Sequence, residues 1–171
     1  MATAYIGLGS NLGDRVATLR EAVRRLAGLG RLVAVSSLYD TAPVGYLEQP
    51  PFLNAVVALE TELTPLMLLR ELLAIERDLG RSRTFRNAPR TLDLDLLLID
   101  DIMLESAELT LPHPRLHERA FVLVPLAEIA PDAWHARLNV SAAELLEALT
   151  DRGGVQRLAT PGWEIDTVRT D

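Results

Sequence analysis

The segment Leu92-Asp93-Leu94-Asp95-Leu96-Leu97-Leu98-Ile99 constrains the fold more than any other stretch of the chain. Its first half alternates apolar and acidic residues, and its second half is apolar without a break. Side chains alternate across a strand, so Asp93 and Asp95 share one face while Leu92, Leu94 and Leu96 share the other. The run that ends at Ile99 reads as a strand buried on both faces, a rigid base for two carboxylates. Two strand rises separate their Cβ atoms by ~6.6 Å. Carboxylates so placed can hold one Mg²⁺ or share a pair of ions ~3.5–4 Å apart.

A lone Asp-x-Asp is more often the solvated acidic face of an edge strand. Here its neighbours shift the balance. Arg77, Arg81, Arg83, Arg86 and Arg90 crowd the preceding segment of a chain whose net charge is −7, and only Asp78 opposes them locally. Guanidinium groups beside a carboxylate pair suit polyphosphate and its Mg²⁺. Mutual neutralisation by salt bridges is the plain alternative.

Composition works by exclusion. With 171 residues and 49% hydrophobic content, one well-packed domain over 1–171 is expected. The N-terminus carries no basic region ahead of an apolar core, and no apolar run approaches ~18 residues, so a soluble, cytoplasmic protein without a membrane partner is expected. Without cysteine there are no disulfides, thiolate nucleophiles or cysteine metal sites. All 17 basic residues are arginine, which removes a Walker-A lysine and a Schiff base. If the chain moves phosphoryl groups, arginine and metal must supply the positive charge. The acidic balance argues against a nucleic-acid partner. The sequence does not determine oligomeric state, a monomer being favoured.

The element order narrows the fold. Residues 3–9 read as a strand. Residues 10–14 follow as a turn, with Asp14 the N-cap of a helix whose buried face carries Val16, Leu19, Val23 and Leu26 and which ends at Gly28 and Gly30. A second strand over 31–39 leads into a proline-rich loop over 41–51, a candidate ligand surface. A third strand over 53–63 precedes Thr64-Pro65, an N-cap with proline at the first helical position, and a helix with Leu68, Leu72, Ile75 and Leu79 inward. The fourth strand is 92–99. Strand, helix, strand, strand, helix, strand is the split βαβ order of an α+β, ferredoxin-like βαββαβ core. The core is expected to extend to about residue 131. The extension after it holds a capping box at Ser141 to Glu144, a helix to about Leu149, and then a weak strand and loosely held tail.

Three other motifs have weaker readings. Gly7, Gly9 and Gly13 nearly match a dinucleotide loop, but the third glycine is one residue late, so they read as a tight strand-to-helix turn. His113 and His117 have the spacing of a helical zinc pair, but Pro114 breaks the helix and a third ligand is hard to find. With Arg115 and Arg119 they could instead form a cationic patch, or simply be two partly exposed histidines. Asn54 sits in an otherwise apolar strand, where its amide could read a heterocycle edge or tie down the preceding loop.

Taken in order, several segments resemble the hydroxymethyl-dihydropterin pyrophosphokinase family: Ala4 to Gly13, Ser36 to Gly45, Gln49 to Asn54, Glu76 with Gly80-Arg81, Pro89 to Asp95, and Leu111 to His113 with Arg119 to Phe121. Pro-Arg-Thr-Leu-Asp-Leu-Asp is the most specific of them. The resemblance implies Mg-dependent transfer of pyrophosphate from ATP to the hydroxymethyl group of 6-hydroxymethyl-7,8-dihydropterin, with release of AMP, in folate biosynthesis. By that resemblance Asp93 and Asp95 bind two Mg²⁺, and Arg81 and Arg90 clamp the phosphates. Phe52 and Phe121 enclose the pterin, while Asn54 and the backbone near Thr41, Ala42 and Val44 read its edge. Glu76, Leu96, Thr110, His113 and Arg119 match ATP-holding positions, and Arg83 and Arg86 belong to a catalytic loop. The family's usual Arg-Trp-Gly-Pro-Arg is here Arg86-Asn87-Ala88-Pro89-Arg90, without the aromatic lid. The alternative reading is therefore a non-catalytic ferredoxin-like pterin- or nucleotide-binding module.

Overall fold

In a computed structural model, the structure describes residues 1–11, 14–41, 52–79, 92–158 and 163–164. Strand β1 (Ala2–Ser10) leads to α1 (Arg15–Ala27), whose N-cap Asp14 accepts the Ala17 N–H at 3.1 Å. The second expected strand is two, β2 (Arg31–Val35) and β3 (Tyr39–Thr41), both antiparallel to β4 (Phe52–Thr61). The interruption has a side-chain cause. Ser36 Oγ accepts the Val56 N–H at 2.9 Å, taking a ladder position that a carbonyl would fill in a continuous strand.

Helix α2 (Pro65–Leu79) buries Leu68, Leu72 and Ile75 and precedes β5 (Asp93–Ile99). In the main sheet β5 lies beside β1, β1 beside β4, and β4 beside both β2 and β3. Every pairing is antiparallel. This is the ferredoxin-like order, complete at Ile99.

Part of the chain beyond Ile99 covers the other face of the sheet, while Leu109, Leu111 and Trp163 join the core of the first. A hairpin of β6 (Leu104–Glu105) and β7 (Thr110–Leu111) leads through a 3₁₀ turn at Leu116–Glu118 into α3 (Ala120–Ile129). Next come β8 (Trp134–His135), β9 (Val140–Ser141), α4 (Ala142–Ala148) with its capping box at Ser141, and β10 (Gln156–Arg157), which pairs with β3. Helix α3 lacks helical periodicity because it is apolar nearly all round and holds Pro125, the pattern of a buried helix.

The sheet separates two cores. Leu94, Leu96 and Ile99 face α1 and α2 with Leu19, Leu26, Leu68 and Leu72; Leu97 and Leu98 face Leu123 and Leu126 of α3. Leu97 is the extra residue of a bulge, since Ile6 pairs with Leu96 and Tyr5 with Leu98. That phase change lets one strand supply consecutive leucines to a single face.

Beyond β10 the described residues are Leu158, Trp163 and Glu164, and the rest of the expected loosely held tail lies outside the described residues. Trp163 is buried, its indole N–H donates to Ser36 O at 2.9 Å, and its carbonyl accepts from Arg20 Nε at 2.6 Å. No helix among the described residues is long and apolar enough to cross a membrane.

Candidate active site

The β1 ladders set the floor of the site. Gly9 stands opposite Asp93 on one side and Asn54 on the other; Gly7 stands opposite Asp95 and Val56. Directly opposed residues project to the same face, so the two glycines add no side chain between an amide and two carboxylates, and Leu97 packs over Gly7. A Cβ at Gly9 would lie 3.0 Å from Asn54 Oδ1. Gly7 and Gly9 lie within β1, inside the strand expected over residues 3–9.

Over this floor lies a cavity of about 620 Å³, within the usual range for small-molecule sites. It brings together Thr41, Phe52, Asn54, Asp93, Asp95, Arg119 and Phe121 of the residues singled out in the sequence. Phe52 and Asn54, two apart on β4, share the floor's face. Asn54 is buried, and its Nδ2–H donates to Thr41 Oγ1 at 2.8 Å. With the nitrogen engaged, Oδ1 stays over Gly9 as the acceptor available to a ligand.

At the acidic end, Arg119 Nη1 lies 3.7 Å from Asp95 Oδ2, and its Cζ lies 5.6 Å from the Phe121 ring centroid. One guanidinium therefore links the carboxylate and aromatic walls. Asp93 is exposed and Asp95 half-buried.

Four residues stand along the outer edge of β5 rather than in the cavity lining. Glu76 is buried, and its Oε2 accepts the Leu94 N–H at 2.7 Å, between the two aspartates. Leu96 buries its side chain in the core, leaving its main chain as the part that could meet a ligand. Thr110 lies on β7, which packs against β5. His113 donates its N–H to Leu97 O at 2.8 Å, and its Nδ1 accepts the Arg115 N–H at 3.1 Å. Burial lowers the His113 pKa; Arg119 and Arg115 act in the same direction and Asp95 opposes them. In the neutral ring, Nδ1 is the acceptor, so the proton sits on Nε2 and makes that nitrogen a donor.

Ala42, Val44, Arg81, Arg83, Arg86 and Arg90 lie outside the described residues, as does Asn87. Of the histidine pair, His113 precedes the short turn that opens at Leu116 and His117 lies within it. His117 meets His135 edge-on at 6.4 Å, and no group of three or more metal-ligating side chains occurs among the described residues. Sequence reasoning missed the glycine floor, although two glycines at strand spacing were available as a signal. It also missed the wall formed by Asp151, Arg152, Gly153 and Val155, for which composition gives none.

Comparison with known proteins adds independent findings. The model of the family described as 7,8-dihydro-6-hydroxymethylpterin-pyrophosphokinase matches residues 5–131. A Methylorubrum extorquens protein named 2-amino-4-hydroxy-6-hydroxymethyldihydropteridine pyrophosphokinase is 48% identical over 162 residues, covering 92% of this chain and 99% of its own. A Bacillus subtilis protein of the same name is 46% identical over 155 residues, covering 90% of this chain and 88% of its own. The structure of a Plasmodium falciparum HPPK-DHPS triple mutant with STZ-DHP superposes with a TM-score of 0.69 at 17% identity, a likeness of fold. It covers 85% of this chain, which spans 43% of that longer one.

Proposed function

The chain belongs to the 7,8-dihydro-6-hydroxymethylpterin-pyrophosphokinase family, and on that premise we propose that it transfers pyrophosphate from ATP to the hydroxymethyl group of 6-hydroxymethyl-7,8-dihydropterin in folate biosynthesis, releasing AMP. The observation that carries the reading is one cavity with an aromatic and amide-lined half at Phe52, Asn54 and Phe121 and an acidic half at Asp93 and Asp95. A flat heterocycle fits the first half and a metal-bound polyphosphate the second.

The donor set fits Mg²⁺. Asp93 and Asp95 offer hard oxygen ligands on one strand face, with no third protein ligand among the described residues. Mg²⁺ usually takes one or two carboxylates and completes its shell with water and substrate phosphates. Bound there, as one ion or two, Mg²⁺ would supply neutralising charge at the phosphate oxygens.

The chain's own groups account for the rest. The pterin hydroxymethyl oxygen forms a bond to the β-phosphorus of ATP as the bond from that phosphorus to the α–β bridging oxygen breaks. AMP departs with the bridging oxygen, and the hydroxyl proton passes to solvent. Phosphoryl transfer needs little covalent help, so positioning and electrostatics dominate. Arg119 turns from Asp95 toward phosphate oxygen as the nucleotide binds, while its stack on Phe121 preserves its orientation. His113 donates from Nε2 to a phosphate oxygen without adding charge. Asn54 Oδ1 accepts from the N–H edge of the pterin, and Phe52 and Phe121 cover the ring. Arg81 and Arg90 clamp the phosphates, and Glu76, Leu96, Thr110 and Arg83 contribute to holding ATP.

The test is AMP formation from ATP and 6-hydroxymethyl-7,8-dihydropterin, measured with Mg²⁺ and with a chelator. AMP should require pterin and metal and accumulate one-for-one with pterin pyrophosphate. AMP formed at the same rate in the chelator would remove the assignment of Asp93 and Asp95 as metal ligands. Binding of both substrates without AMP would leave a pterin- and nucleotide-binding module.

A further inference from the structure

The cavity has a wall that the proposed reaction leaves unused. Asp151, Arg152, Gly153 and Val155 line it from the segment between α4 and β10, beyond the residues 5–131 that match the family. The wall is anchored through β10, which follows it. Gln156 pairs with Asp40 and Arg157 with Tyr39, and Leu158 N–H donates to Leu38 O at 2.9 Å. Arg157 also lies 3.9 Å from Glu128, the carboxylate that binds the Tyr39 hydroxyl at 2.8 Å. The antiparallel register brings Val155 alongside Thr41, the residue that holds Asn54. The wall therefore belongs to the half of the cavity that contains Thr41, Phe52 and Asn54.

The turn above Val155 is built. Asp151 Oδ1 accepts the Gly153 N–H at 2.7 Å, and Gly153 and Gly154 have φ of +63° and +67°, a left-handed pair that other residues adopt only with strain. Arg152 stands within that turn, exposed and among the residues that line the cavity.

Charge pairing singles out that arginine. Of the described lining cations, Arg119 lies 3.7 Å from Asp95 and Arg115 3.8 Å from Glu118. Arg152 has no acidic partner within ion-pair distance among the described residues. A pterin ring carries N–H donors along part of its edge and a carbonyl oxygen and ring nitrogen as acceptors along another. Asn54 offers the described site an acceptor for the first. The second needs a donor, and a planar guanidinium has five N–H groups in a fixed fork.

We infer that Arg152 is a substrate-binding residue of the pterin half of the site, donating to the carbonyl and ring-nitrogen edge of the heterocycle, with Val155 and the Asp151–Gly154 turn as its support. This rests on the pterin reading above. The experiment is calorimetric titration of the full chain and of Arg152→Ala and Arg152→Lys with 6-hydroxymethyl-7,8-dihydropterin, in the presence of Mg²⁺ and a non-hydrolysable ATP analogue. The analogue itself is titrated separately. Arg152 is exposed, so both variants should fold.

The alanine variant is expected to bind pterin about tenfold more weakly, on the scale of a lost charge-assisted hydrogen bond. The lysine variant should recover only part of that loss, and affinity for the ATP analogue should be unaltered. Equal pterin affinity in wild type and Arg152→Ala would overturn the inference, as would a loss confined to the ATP analogue. An unmutated chain that binds the ATP analogue but no pterin would bring down the underlying reading, a result distinct from either.

Discussion

Glu76 Oε2 accepts the hydrogen bond of the Leu94 N–H at 2.7 Å, at the peptide that lies between Asp93 and Asp95. β5 is the edge strand of the sheet, so this main-chain donor has no neighbouring strand to take it. Glu76 comes from α2, and the contact joins the helix layer to the strand that carries both carboxylates. Glu76→Ala would leave a buried N–H without its acceptor, at a cost of about 1–3 kcal/mol. Glu76→Gln keeps an acceptor oxygen and should lose less. Chemical denaturation and turnover of both variants check this, with turnover falling more in the alanine variant.

Asp95→Ala should lower turnover by ~10²-fold or more, the scale of removing one preorganised charge. The side chain is half-buried and outside both apolar cores, so the thermal midpoint should hardly move. Near-normal turnover in the folded variant would remove the metal assignment.

The glycine floor gives a separate prediction. A Cβ at Gly9 meets Asn54 Oδ1 at 3.0 Å, tighter than ordinary contact, so Gly9→Ala should push the amide away from its place over the floor. The KM for pterin should rise several-fold while the denaturation midpoint changes little. A larger change in stability than in pterin KM would mean that the glycine serves the fold and not the ligand.

Trp163 gives a stability prediction. It is 3% exposed and donates to Ser36 O, the residue that divides β2 from β3. Trp163→Ala should destabilise the fold by roughly 3–5 kcal/mol, the usual cost of removing a large buried aromatic side chain. A loss below about 1 kcal/mol, too small for a packed aromatic, would mean that Trp163 is not packed in the core in solution.

Acid sensitivity follows from His135. The side chain is buried and its Nδ1 accepts the Leu138 N–H at 3.1 Å; burial lowers its pKa, with His117 and Arg137 adding to the effect. The unfolded chain then binds a proton near pH 6.5 that the folded chain resists. The stabilisation is complete above that value and is lost as pH falls from it through the lower folded pKa. The melting temperature should drop from pH 7.5 to pH 5, and His135→Gln should flatten part of the slope while lowering stability at pH 7.5.

Much of the sheet was legible because its signals are local. The alternation of Asp93, Leu94, Asp95 and Leu96 gave the face of each side chain, and Asp14 and Ser141 marked helix starts through caps made within four residues. What escaped depends on partners far along the chain. The division of β2 from β3 comes from Ser36 Oγ bonding Val56, twenty residues away. Helix α3 is packed on most sides and so has no amphipathic period. The wall at Arg152 reaches the cavity only because β10 docks on β3, a contact across more than a hundred residues.

The most direct measurement of the proposed reaction is the fate of the β-phosphorus. The chain is incubated with Mg²⁺, 6-hydroxymethyl-7,8-dihydropterin and ATP labelled at the β-position, and the products are separated. Pyrophosphoryl transfer predicts label in the pterin product and unlabelled AMP, with neither formed by the Asp93→Ala/Asp95→Ala chain. Label remaining in ADP, or in ATP while both substrates are bound, would contradict it.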